Sequence, residues 1–298
     1  MSPLAPASAT PSRIAIAGAT GRVGSALVAG LVAEPVELLA LTRRPDPARL
    51  PSTVVQRAVD FDAPATLAAA LDGVERLFLA QGSSPRQVDN EIALIDAAVA
   101  AGVRHIVKLS ALGIPMRQHP FDWHARIEAH LAQQDIGYTM LRPSTFMEVL
   151  ARAGRAVAEN TWGGAAGQGV VNLIDARDVA DSARAVLLDA AGVDRQRAFH
   201  LTGPRAWSMP QVAEEMSRLL GRRVDYHARS PEQQRRYLVA AGLPEFAAGV
   251  LVGLDQVFYE SALQEDTSTV ERLTGHPPRT LTDWLGRNLA LFQAGPAR

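Results

Sequence analysis

The stretch IAIAGATGRVGSALVAGL, residues 14–31, joins an apolar run to a helix-like run through three glycines. Gly18, Gly21 and Gly24 follow one another at intervals of three residues. Glycine loses more conformational entropy on folding than any other residue, so this clustering points to a geometric requirement. A strand, a glycine turn and a helix N-terminus together allow the backbone to approach a pyrophosphate. A tight turn without a ligand has the same pattern and stays open as an alternative.

The rest of the first half alternates between strand-like and helix-like runs. Six strands are predicted, over Ile14–Ala17, Val36–Thr42, Val54–Val59, Arg76–Ala80, His105–Ser110 and Tyr138–Arg142. A buried helix is predicted over Val23–Val32. A second helix over residues 85–102 has one apolar face, made of Val88, Ile92, Ile95 and Val99. Strands that alternate with helices form a parallel sheet covered on both faces, so the sequence predicts an α/β fold with a Rossmann-type doubly wound sheet.

Domain boundaries are predicted from where this alternation stops. The Rossmann-type domain is expected over residues 13–146, and residues 170–203 are expected to return to it because they repeat the pattern. Residues 147–169 and 204–298 are expected to form a smaller, mainly helical substrate-binding part. Residues 1–12 are rich in small residues and proline and are expected to form a disordered tail. They lack the basic start and apolar core of a secretory signal.

Composition narrows the function classes. A formal net charge of −1 and a pI of about 6.7 argue against an electrostatic nucleic-acid surface. No uncharged apolar run reaches the length of about 18 residues that a membrane span needs. The absence of cysteine excludes disulfides and thiolate sites, and the seven histidines lack paired metal-ligand spacing, so no metal is expected. These features fit a cytoplasmic protein that binds a small molecule.

Arginines follow the second predicted strand. Proteins that select NAD place a carboxylate about 20 residues after the glycines to hold the ribose 2′-hydroxyl. Arg43 and Arg44 stand there instead, and a guanidinium group can bind a 2′-phosphate through two hydrogen bonds. We therefore predict NADP(H) as the cofactor, with solvated surface arginines as the alternative interpretation. The turn residues expected to contact the cofactor are Gly18, Ala19, Thr20, Gly21, Arg22, Val23 and Gly24.

Residues just after the other strands complete the predicted nucleotide site, because ligands of such sheets bind beyond the carboxyl ends of the strands. Asp60 and Phe61 are placed to hydrogen-bond and flank the adenine, although an ordinary strand exit has the same pattern. Ala80, Gln81 and Gly82 are expected beside the nicotinamide-side ribose, unless they form a plain polar loop.

A catalytic Tyr/Lys pair separated by four residues is absent. Many reductases of this architecture use a helical tyrosine as proton donor and a lysine that lowers the pKa of its hydroxyl. The 30 basic residues of this chain are 29 arginines and one lysine, Lys108, and Arg104 stands four residues before it. Tyr138 precedes Arg142 by four residues, but on a predicted strand, where core packing is the simpler interpretation.

Seven motifs together resemble one family. They are GATGRVG, LTRRP, VKLSALG, WHARIEAHLAQQDIGYTMLRPSTFME, DARDVADSA, LTGP and TGHPPRTLTDWL. Over about residues 13–290, the chain resembles the NmrA-like branch of the atypical short-chain dehydrogenase/reductases, particularly bacterial NADPH-dependent quinone oxidoreductases and triphenylmethane-reductase-like proteins. The resemblance implies a Rossmann domain, a small C-terminal substrate domain, NADPH binding and no Tyr/Lys pair. The family contains both enzymes and dinucleotide-binding sensors without turnover.

The same resemblance suggests residues for the chemistry. Related proteins carry lysine or histidine at the place of His124, which is expected on a helix with Glu128 one turn later, where a carboxylate would raise the imidazole pKa. His124 is predicted to donate a proton or to bind cofactor or substrate, with a helix-face ion pair as the alternative. Ser110 is predicted to hydrogen-bond ribose or substrate, or to cap its strand. The resemblance places beside the nicotinamide amide and the pocket mouth Pro143, Ser144, Thr145 and Phe146.

The sequence thus favours an NADPH-dependent oxidoreductase that transfers hydride to an electron-poor small molecule such as a quinone or an iminium compound. Such acceptors delocalise or cancel charge, so they need less acid assistance than a ketone does. The alternative is an NmrA-like NADP(H)-binding redox sensor without turnover. A homodimer is left open. Core packing is expected for the aromatic residues Trp162, Trp207, Tyr226, Tyr237, Phe258 and Tyr259.

Overall fold

The computed structural model describes residues 12–82, 84–112 and 122–293, so the predicted tail, apart from its last residue, lies outside the described residues. The strands are β1 (Arg13–Ala17), β2 (Glu37–Thr42), β3 (Val55–Ala58), β4 (Arg76–Leu79), β5 (His105–Leu109), β6 (Gly137–Pro143), β7 (Thr145–Phe146), β8 (Gly163–Gly164), β9 (Val170–Ile174), β10 (Gln196–Leu201), β11 (Ala206–Ser208) and β12 (His227–Ala228). The helices are α1 (Arg22–Leu31), α2 (Pro64–Ala70), α3 (Gln87–Ala100), α4 (Trp123–Leu131), α5 (Gly154–Ala158), α6 (Ala176–Leu188), α7 (Met209–Leu220), α8 (Pro231–Ala240), α9 (Glu245–Tyr259), α10 (Thr269–Thr274) and α11 (Leu281–Arg287).

Seven strands form the main sheet in the order β10-β6-β5-β4-β1-β2-β3. The pairs β1–β2, β2–β3, β1–β4 and β4–β5 are parallel. Apart from the added β10, this is the 3-2-1-4-5-6 strand order of Rossmann folds. The predicted Rossmann-type α/β fold is confirmed, and each of the six predicted strands overlaps an observed strand.

The buried face of α3 differs from the predicted one. Val88 and Ile95 are buried as expected, but Ile92 and Val99 are only half-buried. The helix instead buries Glu91, which has no exposed surface. The predicted buried face of α3 is wrong in this respect, because hydrophobic periodicity counts apolar residues and does not assign a charged residue to the core.

The described chain divides into two compact units. The first contains the residues up to Leu109, Arg126–Met140 and Ala183–Arg197. Buried in this unit, His105 has Nε2 at 3.0 Å from the Thr139 hydroxyl and Nδ1 at 2.5 Å from the carbonyl oxygen of Val193. Burial lowers the pKa of His105, so the neutral ring is favoured, with Nδ1–H donating to that carbonyl.

The second unit contains Ser110–Ala125, Leu141–Ser182 and Ala198–Arg298. In it β9 lies between β7 and β11 in a three-stranded sheet, and β8 pairs with β12. No helix in the described parts of the chain is long and apolar enough to cross a membrane.

Aromatic side chains contribute unequally to the core of the second unit. Trp162, Trp207 and Phe258 are buried in its apolar cluster, and Tyr226 packs against that cluster, as expected. For the remaining two residues the prediction of core packing is wrong, because the exposed fractions are 36% and 59% for Tyr237 and Tyr259. Tyr237 lies on α8, and Tyr259 is the last residue of α9, where the helix ends.

Two of the seven motifs meet in the second unit. Asp178, from DARDVADSA, is fully buried and accepts a hydrogen bond at 2.8 Å from the backbone N–H of Arg279, from TGHPPRTLTDWL. The Arg279 guanidinium also donates to Asp178 and, at 2.8 Å, to Asp181. Burial raises the pKa of Asp178 despite this pairing. Because an unpaired buried carboxylate is costly, the arginine and the two aspartates form one structural bridge.

Candidate active site

The glycine turn lies at the point where the strand order reverses. β1 pairs with β2 on one side and with β4 on the other, and nucleotides bind such sheets outside the carboxyl ends of these strands. Gly18 has φ +79°, and an added β-carbon would lie 2.6 Å from the carbonyl oxygen of Ala80, which follows β4. A β-carbon on Gly24 would lie 2.1 Å from the carbonyl oxygen of Gly18. Both glycines are therefore required for backbone packing.

Gly21 has a different role, because its backbone is not in the left-handed region. It is the N-cap of α1 with φ −77°, it is exposed, and an added β-carbon would have only the Gly18 carbonyl oxygen nearby, at 3.1 Å. Because the N-cap residue is a glycine, it contributes no side-chain cap to α1. The first turn of a helix carries N–H groups without intrahelical partners and the positive end of the helix dipole. An exposed, uncapped helix N-terminus behind a glycine is suited to an anionic ligand.

Three arginines lie at the exits of β1 and β2, which are neighbouring strands. Arg22 opens α1, and Arg43 and Arg44 directly follow β2, which neighbours β1. All three are exposed, and their guanidinium groups form no ion pair within the described ranges. The Thr42 hydroxyl fixes the strand exit by bonding to the backbone N–H and carbonyl of Arg44. The arrangement leaves positive charge available beside the predicted 2′-phosphate position.

The connections after β3 and β4 are joined by an ion pair that the sequence did not reveal. Asp60 Oδ1 accepts a hydrogen bond at 2.9 Å from the backbone N–H of Asp62. The Asp62 carboxylate accepts hydrogen bonds from both terminal nitrogens of Arg86, at 2.6 and 3.2 Å. Hydrogen bonding and charge from Arg86 lower the pKa of Asp62. Phe61, predicted beside the adenine, is half-buried in this turn.

In the second unit the exits of β5 and β6 are joined through their backbones. The N–H of Ser110 donates to the carbonyl of Leu141 at 2.7 Å, and the N–H of Leu112 donates to the carbonyl of Pro143 at 2.9 Å. The Ser110 hydroxyl is buried and has no hydrogen-bond partner within the described part of the chain. An unsatisfied buried hydroxyl is unfavourable, so this group is suited to a ligand that supplies the missing bond.

Asn172 contacts a predicted site residue and was not singled out by the sequence analysis. Its Oδ1 accepts hydrogen bonds from the Ser144 hydroxyl at 3.2 Å and from the N–H of Gly203 at 2.6 Å. Its Nδ2 donates to the carbonyl of Gly203 at 3.2 Å. The predicted site residue Ser144 is thus held by Asn172, and Thr145 and Phe146 continue as β7. A polar residue inside an apolar strand, VVNLI, followed later by LTGP, was the available clue.

His124 lies in the first turn of α4 and is half-buried. Glu128 lies one turn later on the same helix and is also half-buried. His124 and Ser110 both belong to the second unit. Its role as proton donor stays a prediction.

Comparison with known proteins bears on the whole length of the chain. A family model described as NAD(P)H-binding matches residues 18–161, starting at the first glycine of the turn. An NAD(P)H azoreductase from Xenophilus azovorans is 33% identical over 287 residues, covering 94% of this chain and 99% of the relative. Quinone oxidoreductase 2 from Escherichia coli is 32% identical over 277 residues, covering 91% and 96%. The chain belongs to the NmrA-like atypical short-chain dehydrogenase/reductase family.

Solved structures agree with this membership. An NADPH-dependent quinone oxidoreductase from Escherichia coli, complexed with NADPH, has a TM-score of 0.85 at 30% identity and covers 93% of this chain and 99% of its own. The Citrobacter triphenylmethane reductase complexed with NADP(H) has a TM-score of 0.84 at 22% identity, covers 92% and 99%, and shows the shared fold alone. The predicted family and NAD(P)H binding are confirmed for this NmrA-like protein. The contact made by each named residue stays a prediction.

Proposed function

We propose that this NmrA-like protein is an NADPH-dependent reductase that delivers hydride to electron-poor small molecules such as quinones or iminium compounds. The observation that carries the proposal is the nearly full-length match to an azoreductase and a quinone oxidoreductase. A shared nucleotide-binding module alone would match only the first half. Both named activities add electrons to a conjugated acceptor. When bound, NADPH supplies the hydride, and the protein contributes orientation and the electrostatic environment.

Charge beside the glycine turn supports NADPH over NADH. Arg43 and Arg44 stand where an NAD-selective protein places a carboxylate. A guanidinium group binds a phosphate through paired hydrogen bonds, whereas the 2′-hydroxyl of NADH offers no charge to these arginines. Arg22 adds positive charge from the first residue of α1.

Reduction of a quinone also requires a proton. A quinone becomes a hydroquinone by taking up one hydride and one proton. Lys108 cannot assist a tyrosine in the usual way, because its side chain is fully buried and paired with Glu91. The buried Ser110 hydroxyl is proposed to hydrogen-bond the ribose or the acceptor, and the His124 imidazole to donate the proton.

The deciding experiment measures hydride transfer directly. Wild type is incubated without oxygen with NADPH deuterated at C4 and with a quinone, an azo dye, an iminium salt or a triarylmethyl cation. The last two acceptors retain the deuterium on carbon, where mass spectrometry detects it. We expect NADPH oxidation, with label transfer from only one of the two C4 positions. Tight NADPH binding without turnover of any acceptor would replace this proposal with the redox-sensor alternative.

A further inference from the structure

The single lysine of the chain is buried in an ion pair. Lys108 is the penultimate residue of β5, and its Nζ lies 2.8 Å from Oε2 of Glu91 on α3, with both side chains fully enclosed. Buried Gln87 donates a hydrogen bond from Nε2 to Oε1 of Glu91 at 2.9 Å. Lys108 Nζ also donates to the carbonyl oxygen of Leu109. These contacts connect the end of β5 to the first turns of α3.

Such a connection is a poor source of stability, because withdrawing two charges from water costs about as much as their attraction returns. What it supplies is a defined geometry. The choice of residue supports this role, since the chain contains 29 arginines and uses lysine here alone. A compact ammonium with three donors can serve a carboxylate and a carbonyl within one enclosed space, whereas a guanidinium is larger and planar.

The contacts lie at the edge of the sheet that carries the nucleotide turn. Gln87 begins α3, and the connection into α3 starts at Ala80, directly after β4. The carbonyl oxygen of Ala80 stands against Gly18, as described above. The Arg86–Asp62 pair also holds this connection, but its side chains are 56% and 71% exposed, and exposed pairs contribute little. The buried contacts are therefore the stronger restraint on the start of α3.

We infer that Lys108, Glu91 and Gln87 are positioning residues for the nicotinamide half of the cofactor. They fix the start of α3, and through it the backbone of Ala80–Gly82, the segment predicted to lie beside the nicotinamide-side ribose. This inference rests on the proposed function. The 2′-phosphate end of the adenosine half is assigned to Arg43, which follows β2 and makes none of these contacts. Small displacements of positioning elements, about 1 Å, are enough to lower turnover strongly.

The test compares two ligands on the same variants. The double variant Lys108→Met/Glu91→Leu replaces the ion pair with apolar side chains of similar volume and leaves no buried charge. Fluorescence titration gives the Kd of NADPH, and calorimetry gives the Kd of 2′,5′-ADP, which is the adenosine half with its 2′-phosphate. We expect the affinity of the double variant for NADPH to fall about tenfold or more, with a matching rise in the KM for NADPH. Its affinity for 2′,5′-ADP should stay within about twofold of the wild-type value. Arg279→Met, which breaks the buried bridge of the second unit, is the control and should not change the ratio of the two Kd values.

The outcomes separate this inference from the proposed function. Unchanged NADPH affinity in a folded double variant, or equal weakening of both ligands, overturns the positioning role. If the double variant does not fold, Gln87→Leu gives the same comparison with the ion pair left in place. Failure of wild type to bind NADPH refutes the proposed function itself, whatever the variants do.

Discussion

A β-carbon on Gly24 would lie 2.1 Å from the carbonyl oxygen of Gly18 and 2.8 Å from its carbonyl carbon. The first turn of α1 thus packs backbone to backbone on the glycine turn, and no flexible side chain can move aside. We expect Gly24→Ala to destabilise the protein by about 1–3 kcal/mol, as overpacking of a close contact does. Urea denaturation followed by circular dichroism measures the change. Gly286→Ala, at a helical glycine with open space around it, is the control, and equal stability of the two variants would contradict the prediction.

Gly21→Val separates binding from folding at the same turn. The extended, exposed backbone at Gly21 accepts a side chain with only a close approach to the Gly18 carbonyl. The branched side chain would occupy the surface along which a pyrophosphate approaches. We expect a folded variant that binds neither NADPH nor NADH. Normal NADPH binding by the folded variant would show that the pyrophosphate lies elsewhere.

Arg43→Ala tests cofactor choice. We expect wild type to bind NADPH at least about tenfold more tightly than NADH, because a charged hydrogen bond contributes roughly 1.5–3 kcal/mol. The variant should lose most of this preference while its NADH affinity stays nearly unchanged. Parallel titrations with both cofactors measure the ratio. Arg49→Ala, an exposed arginine in the same β2–β3 connection, is the control. Equal wild-type affinities for the two cofactors would refute the prediction.

His124→Ala tests the proton donor. Turnover of a quinone should slow by about 10²–10⁴, the usual contribution of general acid catalysis. Turnover of a triarylmethyl cation should change far less, because hydride transfer alone completes its reduction. NADPH affinity should stay close to that of wild type. Steady-state rates with both acceptors give the comparison, and equal losses would assign His124 a positioning role instead.

Acid stability should depend on Glu215. Hydrogen bonds from Arg218 and Thr282 lower its pKa to about 2, from an ordinary value of 4.5. The unfolded carboxyl therefore takes up its proton first as the pH falls, so this group stabilises the fold above about pH 4.5 and loses that contribution towards pH 2. We expect the free energy of unfolding, measured by urea denaturation between pH 6 and about pH 3, to decrease less with falling pH in Glu215→Gln than in wild type. The glutamine amide does not titrate in this range. Identical pH dependence in both proteins would exclude the effect.

The sequence by itself determined the fold and the nucleotide-binding edge. The apolar runs that end at Ala17 and Thr42 identify two strands, and regularly spaced glycines follow the first of them. Both features depend on local backbone geometry and can therefore be recognised in the sequence. Apart from the added β10, the observed strand order is that of the Rossmann-type fold which this alternation predicts. Arg43 and Arg44 were predictable for the same reason, because their place after β2 depends on chain position alone.

Tertiary structure alone decided which charged and polar groups are enclosed. Hydrophobic periodicity treats Glu91 and Lys108 as solvent-facing, yet each is enclosed because the other, on a distant segment, compensates its charge. Asn172 is likewise enclosed through hydrogen bonds with Ser144 and Gly203, which are remote in sequence. A buried charge is strongly destabilising unless a partner of opposite charge contacts it, and this partner comes from a distant part of the chain. A local sequence pattern therefore does not show which charges are buried.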